Sequence, residues 1–382
     1  MLPIRTARAA VPFAFAAVLA AAAQQPPVPP PAVPPAVVPS AAVATPAPAP
    51  QDTARPEPAA PRFPRLGYPK DKEFVVAEVD GAPLSLEQLV LHIDQRHYPG
   101  FREFAARDAG QLLFTSDLIA PWVSQFADIT ALLAEAKTRG LEPKAAEPGL
   151  AETLRKSFQG YLDSYVAEQQ QAGNPVKLEQ QRVDRLLADY QLRHGLGCEL
   201  AGWLDFLEPV KYTNLQLRDY FSDHARIFGG EVTIQHILIR HRDPGTGILL
   251  DEAGRSKAFA RLADVKARLL PDGSNFAEVA RLLSADTRTA AKGGELANIA
   301  RFDDRLPAIL CRTAWSLRDG EISEPVDSQY GIHIIHRVEF NQHKFMLYTD
   351  SALPGIREAM QRNRQEDLLF AARKRHGVKL FL

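Results

Sequence analysis

The sequence predicts an α+β protein in which a small antiparallel sheet wrapped by helices is inserted into a mostly helical unit. Three observations predict this. Residues from about 70 to 228 carry apolar positions at helical spacing after one strand-like run. At Gly229-Gly230 the texture changes, and strand-like runs and short amphipathic helices then follow in the order strand, helix, helix, strand, helix, strand, strand. After about residue 340 a helical pattern returns and ends in a short apolar stub, Val378 to Leu382.

The chain of 382 residues has room for two domains plus tails. Hydrophobic and charged fractions of 46% and 24% are those of an ordinary globular protein. A net charge of −1 with no dense basic stripe excludes nucleic acid as the expected partner, since phosphate binding needs clustered Lys and Arg. The two cysteines, Cys198 and Cys311, make neither a disulfide framework nor a zinc knuckle.

The first 23 residues read as an export signal: Arg5 and Arg8, an apolar run from about Ala9 to Ala23, and small residues before Gln24. The run is shorter than the roughly 20 residues of a membrane-spanning helix. An uncleaved anchor is the other reading, and membrane contact is expected only in that case. Residues 24–69 form a proline-rich linker holding about half of the chain's 30 prolines. Proline fixes φ and lacks an N–H, so such a tract is an extended spacer rather than a packed core. Docking on a partner, or on the protein's own active site, is the functional alternative.

The helical unit, 70–228, opens on a strand at Phe74 to Val79, a turn at Asp80-Gly81, and a capping box at Ser85-Leu86-Glu87-Gln88. Helices are expected over 116–139, where Gly140 supplies the stop, and over 150–169, 178–193 and 214–225. In the second unit, 229–340, a strand over 231–240 precedes a helix over 252–270. Ser274 is expected to cap the next helix, and a third amphipathic helix runs over 306–317. Two final strands lie at about 324–327 and 332–340.

The last segment, 341–382, holds a helix over 353–375 with Gly377 as terminator. The stub 378–382 is too apolar for a free tail and too short for a sheet of its own. The strand at Phe74 to Val79 is the one strand read in the helical unit, and a solitary strand leaves its backbone groups unpaired. Pairing the two closes the helical unit from both ends of the chain and makes 229–340 an insertion.

Within the insertion five motifs occur in order: Ile234-Gln235-His236-Ile237-Leu238; Gly273-Ser274-Asn275-Phe276 with Ser284-Ala285-Asp286; Lys292-Gly293-Gly294-Glu295-Leu296; Asp319-Gly320-Glu321-Ile322; and Tyr330-Gly331-Ile332-His333-Ile334. On this ordered set, 232–340 resembles a parvulin-type peptidyl-prolyl isomerase domain, whose fold is a four-stranded antiparallel sheet with surrounding helices. Outside it, Val76 to Gly81, Ala136 to Leu141 and the helix before Gly229 are similar to the helical domain of SurA-type chaperones and PrsA-type foldases.

The resemblance implies that His236 and His333 are the paired central histidines, Ser328 the hydroxyl beside them, and Asp286 the group facing the substrate carbonyl. It implies a proline pocket walled by Leu296, Leu306 and Leu310. Read without it, a strand histidine is a core residue, Asp286 a helix-end residue, and the leucines core. The implied partners are unfolded or proline-containing exported polypeptides in a periplasmic or extracellular setting. Rotation about an amide requires no nucleotide, metal or other cofactor. Where the family usually carries a larger residue and a Phe, this chain has Leu306 and Leu310, which sustains a second reading: a non-catalytic holdase with a degenerate parvulin fold.

Other chemistries are excluded. His236 with His241, and His333 with His336, fall on opposite faces of a strand, which argues against chelation by either pair. No G-x-S-x-G, H-E-x-x-H or Cys–His hydrolase signature occurs.

Overall fold

The computed structural model describes residues 66–107, 119–173, 177–209, 211–243 and 249–381. The expected export signal and nearly all of the proline-rich tract lie outside the described residues. The tract was expected to reach residue 69, but Leu66 and Tyr68 are already buried in the helical core. Their large apolar side chains, set among prolines, have a hydrophobic surface to pack on.

The helical unit opens with a hairpin, β1 (Val75–Val79) and β2 (Ala82–Ser85). Asp80 and Gly81 have φ of 52° and 74°, the two left-handed residues that a two-residue hairpin turn demands. The strand at Phe74 to Val79 is therefore not solitary, as the sequence suggested. β2 escaped notice because it has four residues including Pro83, and it occupies a sheet edge, where proline is tolerated.

Ser85 then caps α1 (Leu86–Arg96) with a reciprocal box, Gln88 N–H to Ser85 Oγ at 3.3 Å and Ser85 N–H to Gln88 Oε1 at 2.7 Å. A short α2 (Phe101–Ala105) precedes α3 (Ile119–Thr138), which ends before Gly140 at φ 68°. α4 (Glu147–Gln171), α5 (Gln180–Leu207) and α6 (Asn214–Asp223) complete this part. α5 runs fourteen residues beyond the expected stop at 193. Gly195 and Gly202 weaken its helical signal, yet they are contact points: a Cβ would meet the His97 ring at 2.7 Å from Gly195 and the Leu150 side chain at 2.6 Å from Gly202.

The inserted unit is one antiparallel sheet. Its strands are β3 (Gly230–Ile239), β4 (Glu295–Ile299), β5 (Val326–Ser328) and β6 (Gly331–Gln342), in the order β4-β3-β6-β5. β3 and β6 pair along their whole length, from Gly230 with Gln342 to Ile239 with Ile332. Both faces are covered. Ile237, Ile239, Ile332 and Ile334 pack under α7 (Glu252–Arg268) and α8 (Phe276–Leu283). Val232, Ile234 and Ile335 pack against Leu310 and Ala314 of α10 (Ala308–Ser316). Between these helices α9 (Thr287–Ala290) is a single turn. The expected Ser274 cap is not made: Asn275 is the N-cap residue, and Ser274 Oγ instead donates to Asp272 at 2.8 Å.

From β6 the chain returns to the helical unit. α11 (Leu353–Arg375) packs Ile356 and Met360 on Leu217 and Tyr220 of α6, and Leu368 and Ala372 on the main helical core. Arg373 grips Asp128 of α3 with two bonds of 2.6 Å, and β7 (Lys379–Leu380) joins the free edge of β1. Ala77 pairs with Leu380 and Glu78 with Lys379, and Phe381 N–H reaches Val76 O at 2.9 Å. The helical unit is thus built from both ends of the chain around the inserted sheet. A buried ion pair, Arg301 to Glu366 at 2.8 Å, ties the insertion to α11.

Candidate active site

The face of the sheet that carries Val232 and Ile234 also carries His236, two residues along β3, and His333 lies diagonally opposite on β6. Their rings are 5.5 Å apart and nearly parallel, with the two Nδ1 atoms 3.3 Å apart. His236 is held by its backbone as well. Its N–H donates to Gly294 O at 2.8 Å, and a Cβ on Gly294 would lie 2.2 Å from His236 O. Gly294 also has φ 79°, so the Lys292-Gly293-Gly294 motif is needed both for space and for backbone angle.

Side chains extend this pair in both directions. His333 Nε2 lies 2.9 Å from Ser328 Oγ, while His236 Nε2 lies 2.9 Å from Thr289 Oγ1 and 3.2 Å from Asp286 Oδ2. Thr289 Oγ1 donates to Asp286 at 3.0 Å, and Asp286 is the N-cap of α9, accepting from Arg288 N–H at 3.2 Å. Thr289 was missed in the sequence. Its signal was the Asp-x-x-Thr spacing of an N-terminal helical turn.

The protons follow by elimination. Bonds from His236 and Thr289 and the Arg288 amide hold the Asp286 carboxyl well below the usual carboxylate range against its burial. Asp286 is therefore ionised and only accepts. Thr289 gives its one proton to Asp286, so His236 must donate from Nε2. His236 Nδ1 is then the acceptor, His333 donates from Nδ1, and Ser328 donates to His333 Nε2. Burial, with the adjacent His236, pushes His333 down to about 3, so this ring stays neutral near pH 7.

His236 and His333 are 4% and 2% exposed. Asp286 is buried beside them, at 7% exposed. Ser328, Leu296 and Leu306 are half-buried and open toward solvent. Leu310 is 4% exposed and lies in the core with Cys311 and Ala314, leaving the accessible apolar surface to Leu296 and Leu306. Next to Ser328, Asp327 engages both His241 at 3.3 Å and Arg242 at 3.5 Å, so these basic groups already have a carboxylate. Both cysteines are free and buried, and burial pushes the Cys311 thiol up to about 11.

Residues 236–339 match the family model of the rotamase or PPIC-type PPIase domain. By this match the inserted unit resembles a parvulin-type peptidyl-prolyl isomerase domain. Among curated proteins the chain resembles the foldase protein PrsA of Clostridium botulinum strain Langeland, 27% identical over 166 residues that make up 42% of this chain and 43% of that protein. It is 28% identical over 213 residues to the foldase protein PrsA of Caldanaerobacter subterraneus subsp. tengcongensis, covering 52% of this chain and 56% of the other. The chain thus spans about half the length of these relatives. Solved structures it resembles include a PpiC-type isomerase domain, at 25% identity and a TM-score of 0.25, covering 31% of this chain and 99% of that one. Another is PrsA from Streptococcus pneumoniae, at 16% identity and a TM-score of 0.30, covering 78% and 89%.

Proposed function

We propose that this protein is an exported foldase that catalyses cis–trans isomerisation of X–Pro bonds in unfolded polypeptides, the helical unit holding the client beside the isomerase domain. The observation that supports this reading is the hydrogen-bond line Ser328, His333, His236, Thr289, Asp286, within a segment that matches the PPIC-type PPIase domain.

The reaction makes and breaks no covalent bond. Its barrier, about 18–20 kcal/mol, comes from the partial double-bond character of the amide. An apolar surface disfavours the charge-separated resonance form, and so favours the twisted amide over either planar form. Leu296 and Leu306 supply that surface for the proline ring. Ser328 Oγ lies 2.9 Å from His333 Nε2 and accepts the Tyr330 N–H at 3.1 Å, which leaves one lone pair at a set position. Asp286 is a fixed negative charge toward which the rotating carbonyl does not turn, biasing its direction of swing. His236 and His333 are positioning residues.

A non-catalytic holdase is disfavoured by the family match and by the intact hydrogen-bond line. Export rests on the N-terminal sequence and on the PrsA relatives. Among the described residues no helix is long and apolar enough to cross a membrane. Exchange NMR on short Ala-Pro peptides tests the function: the full chain is expected to broaden the cis and trans signals, and Asp286→Ala to abolish this while peptide still binds. Binding without exchange in the unmodified chain would overturn the isomerase reading.

A further inference from the structure

Outside the inserted unit, the helical unit brings together His92, His97 and Glu199. We propose that these three residues form a divalent-metal site of the zinc class, clamping α1 to α5.

The geometry carries the inference. His92 Nε2 and His97 Nε2 lie 2.7 and 2.9 Å from the same oxygen, Glu199 Oε2, and the three donor atoms all fall within 4.8 Å of one another. Two imidazole nitrogens and one carboxylate oxygen, from residues up to 107 apart in the chain, are thereby gathered at one place. Zinc binds His and Glu at about 2.0–2.2 Å, which sets tetrahedral donors roughly 3.4 Å apart. The three atoms reach that spacing with shifts under about 1 Å. Binding through Nε2 requires that nitrogen to be free of its proton.

The surroundings fit. Arg96 Nε holds the second carboxylate oxygen, Glu199 Oε1, at 2.9 Å, and is itself bonded to the exposed Glu147 at 3.2 Å. An outer group of this kind fixes the orientation of a metal-binding carboxylate. His97 is 7% exposed, and its ring is wedged against Gly195, one turn before Glu199. The His92 side chain is 16% exposed and leaves a way in from solvent. His97 sits at the C-cap of α1 with φ −122°, outside the helix, which lets a residue five positions after His92 reach the same point. Two imidazoles with one carboxylate select zinc, nickel or cobalt over calcium and magnesium.

Equilibrium dialysis of the tag-free full chain against Zn2+ tests the site. The expected result is one tightly held Zn2+ per chain, a raised unfolding midpoint in its presence, and a loss of affinity of about 100-fold or more in His92→Gln. Several weak equivalents with no tight one, or binding unchanged in His92→Gln, would overturn the proposal. Should that variant fail to fold, imidazole NMR of the unaltered chain decides. One equivalent of Zn2+ is expected to shift the His92 and His97 rings, and shifts confined to other histidines would refute the site.

Discussion

At the residue scale, the account turns on who donates to whom along five side chains. His333 is assigned as the Nδ1–H tautomer and His236 as Nε2–H, which 15N spectra of the imidazoles read directly. The opposite pair would mean that Thr289 gives its proton to His236 instead of Asp286, or that Asp286 is protonated. Thr289 joins His236 to Asp286, and Thr289→Val leaves both short of a partner while keeping the shape. It is expected to cost about 1–3 kcal/mol of stability and to lower kcat/KM more than peptide affinity. The pH dependence has a definite sign. His333 titrates near 6.5 when unfolded but near 3 when folded, so between these values the unfolded chain binds the extra proton. Stability therefore falls as pH drops through this window, and Asp286, depressed when folded, adds a loss at still lower pH. Denaturant titration between pH 3 and 7 checks this: His333→Phe should flatten the slope, and an unchanged slope would contradict the assignment.

At the scale of elements, Gly294 and the C-terminal strand are the sharpest tests. Gly294→Ala combines φ 79° with a 2.2 Å contact to His236 O. It should destabilise the insertion by several kcal/mol, roughly the upper range for point substitutions, and shift the His236 resonances. Deleting residues 378–382 removes one edge of the first sheet. Amide exchange in β1 should then quicken, with protection in β3 and β6 unaffected. Equal loss in both sheets would show that the stub supports the whole fold instead.

The same elements show what was legible. β3, β6 and α11 stood out because long alternation and helical spacing are strong periodic signals. β2 was lost to its brevity and Pro83, and the second half of α5 to glycines that only a packed neighbour explains. Within the site, His236, His333, Ser328 and Asp286 emerged from motif resemblance. Thr289 carried only the Asp-x-x-Thr spacing of a helix start, and its contact with His236 comes from the placing of α9. His92 and Glu199, 107 residues apart, carry no local signal at all.

At the scale of the molecule, the insertion is coupled to the returning helix by charge. Arg301 with Glu366 is buried, and Arg362 with Asp304 and Arg312 with Asp367 flank it. Leaving Arg301 buried without its partner is expensive, so Glu366→Gln should loosen the insertion from α11 without altering its own sheet. The most direct test of the central claim is refolding of a protein whose slow phase is limited by proline isomerisation, on the scale of 10–100 s uncatalysed, with the full chain well below equimolar. The account predicts a faster slow phase that scales with the amount of chain and is lost in Asp286→Ala. Suppressed aggregation with an unchanged slow phase would contradict it.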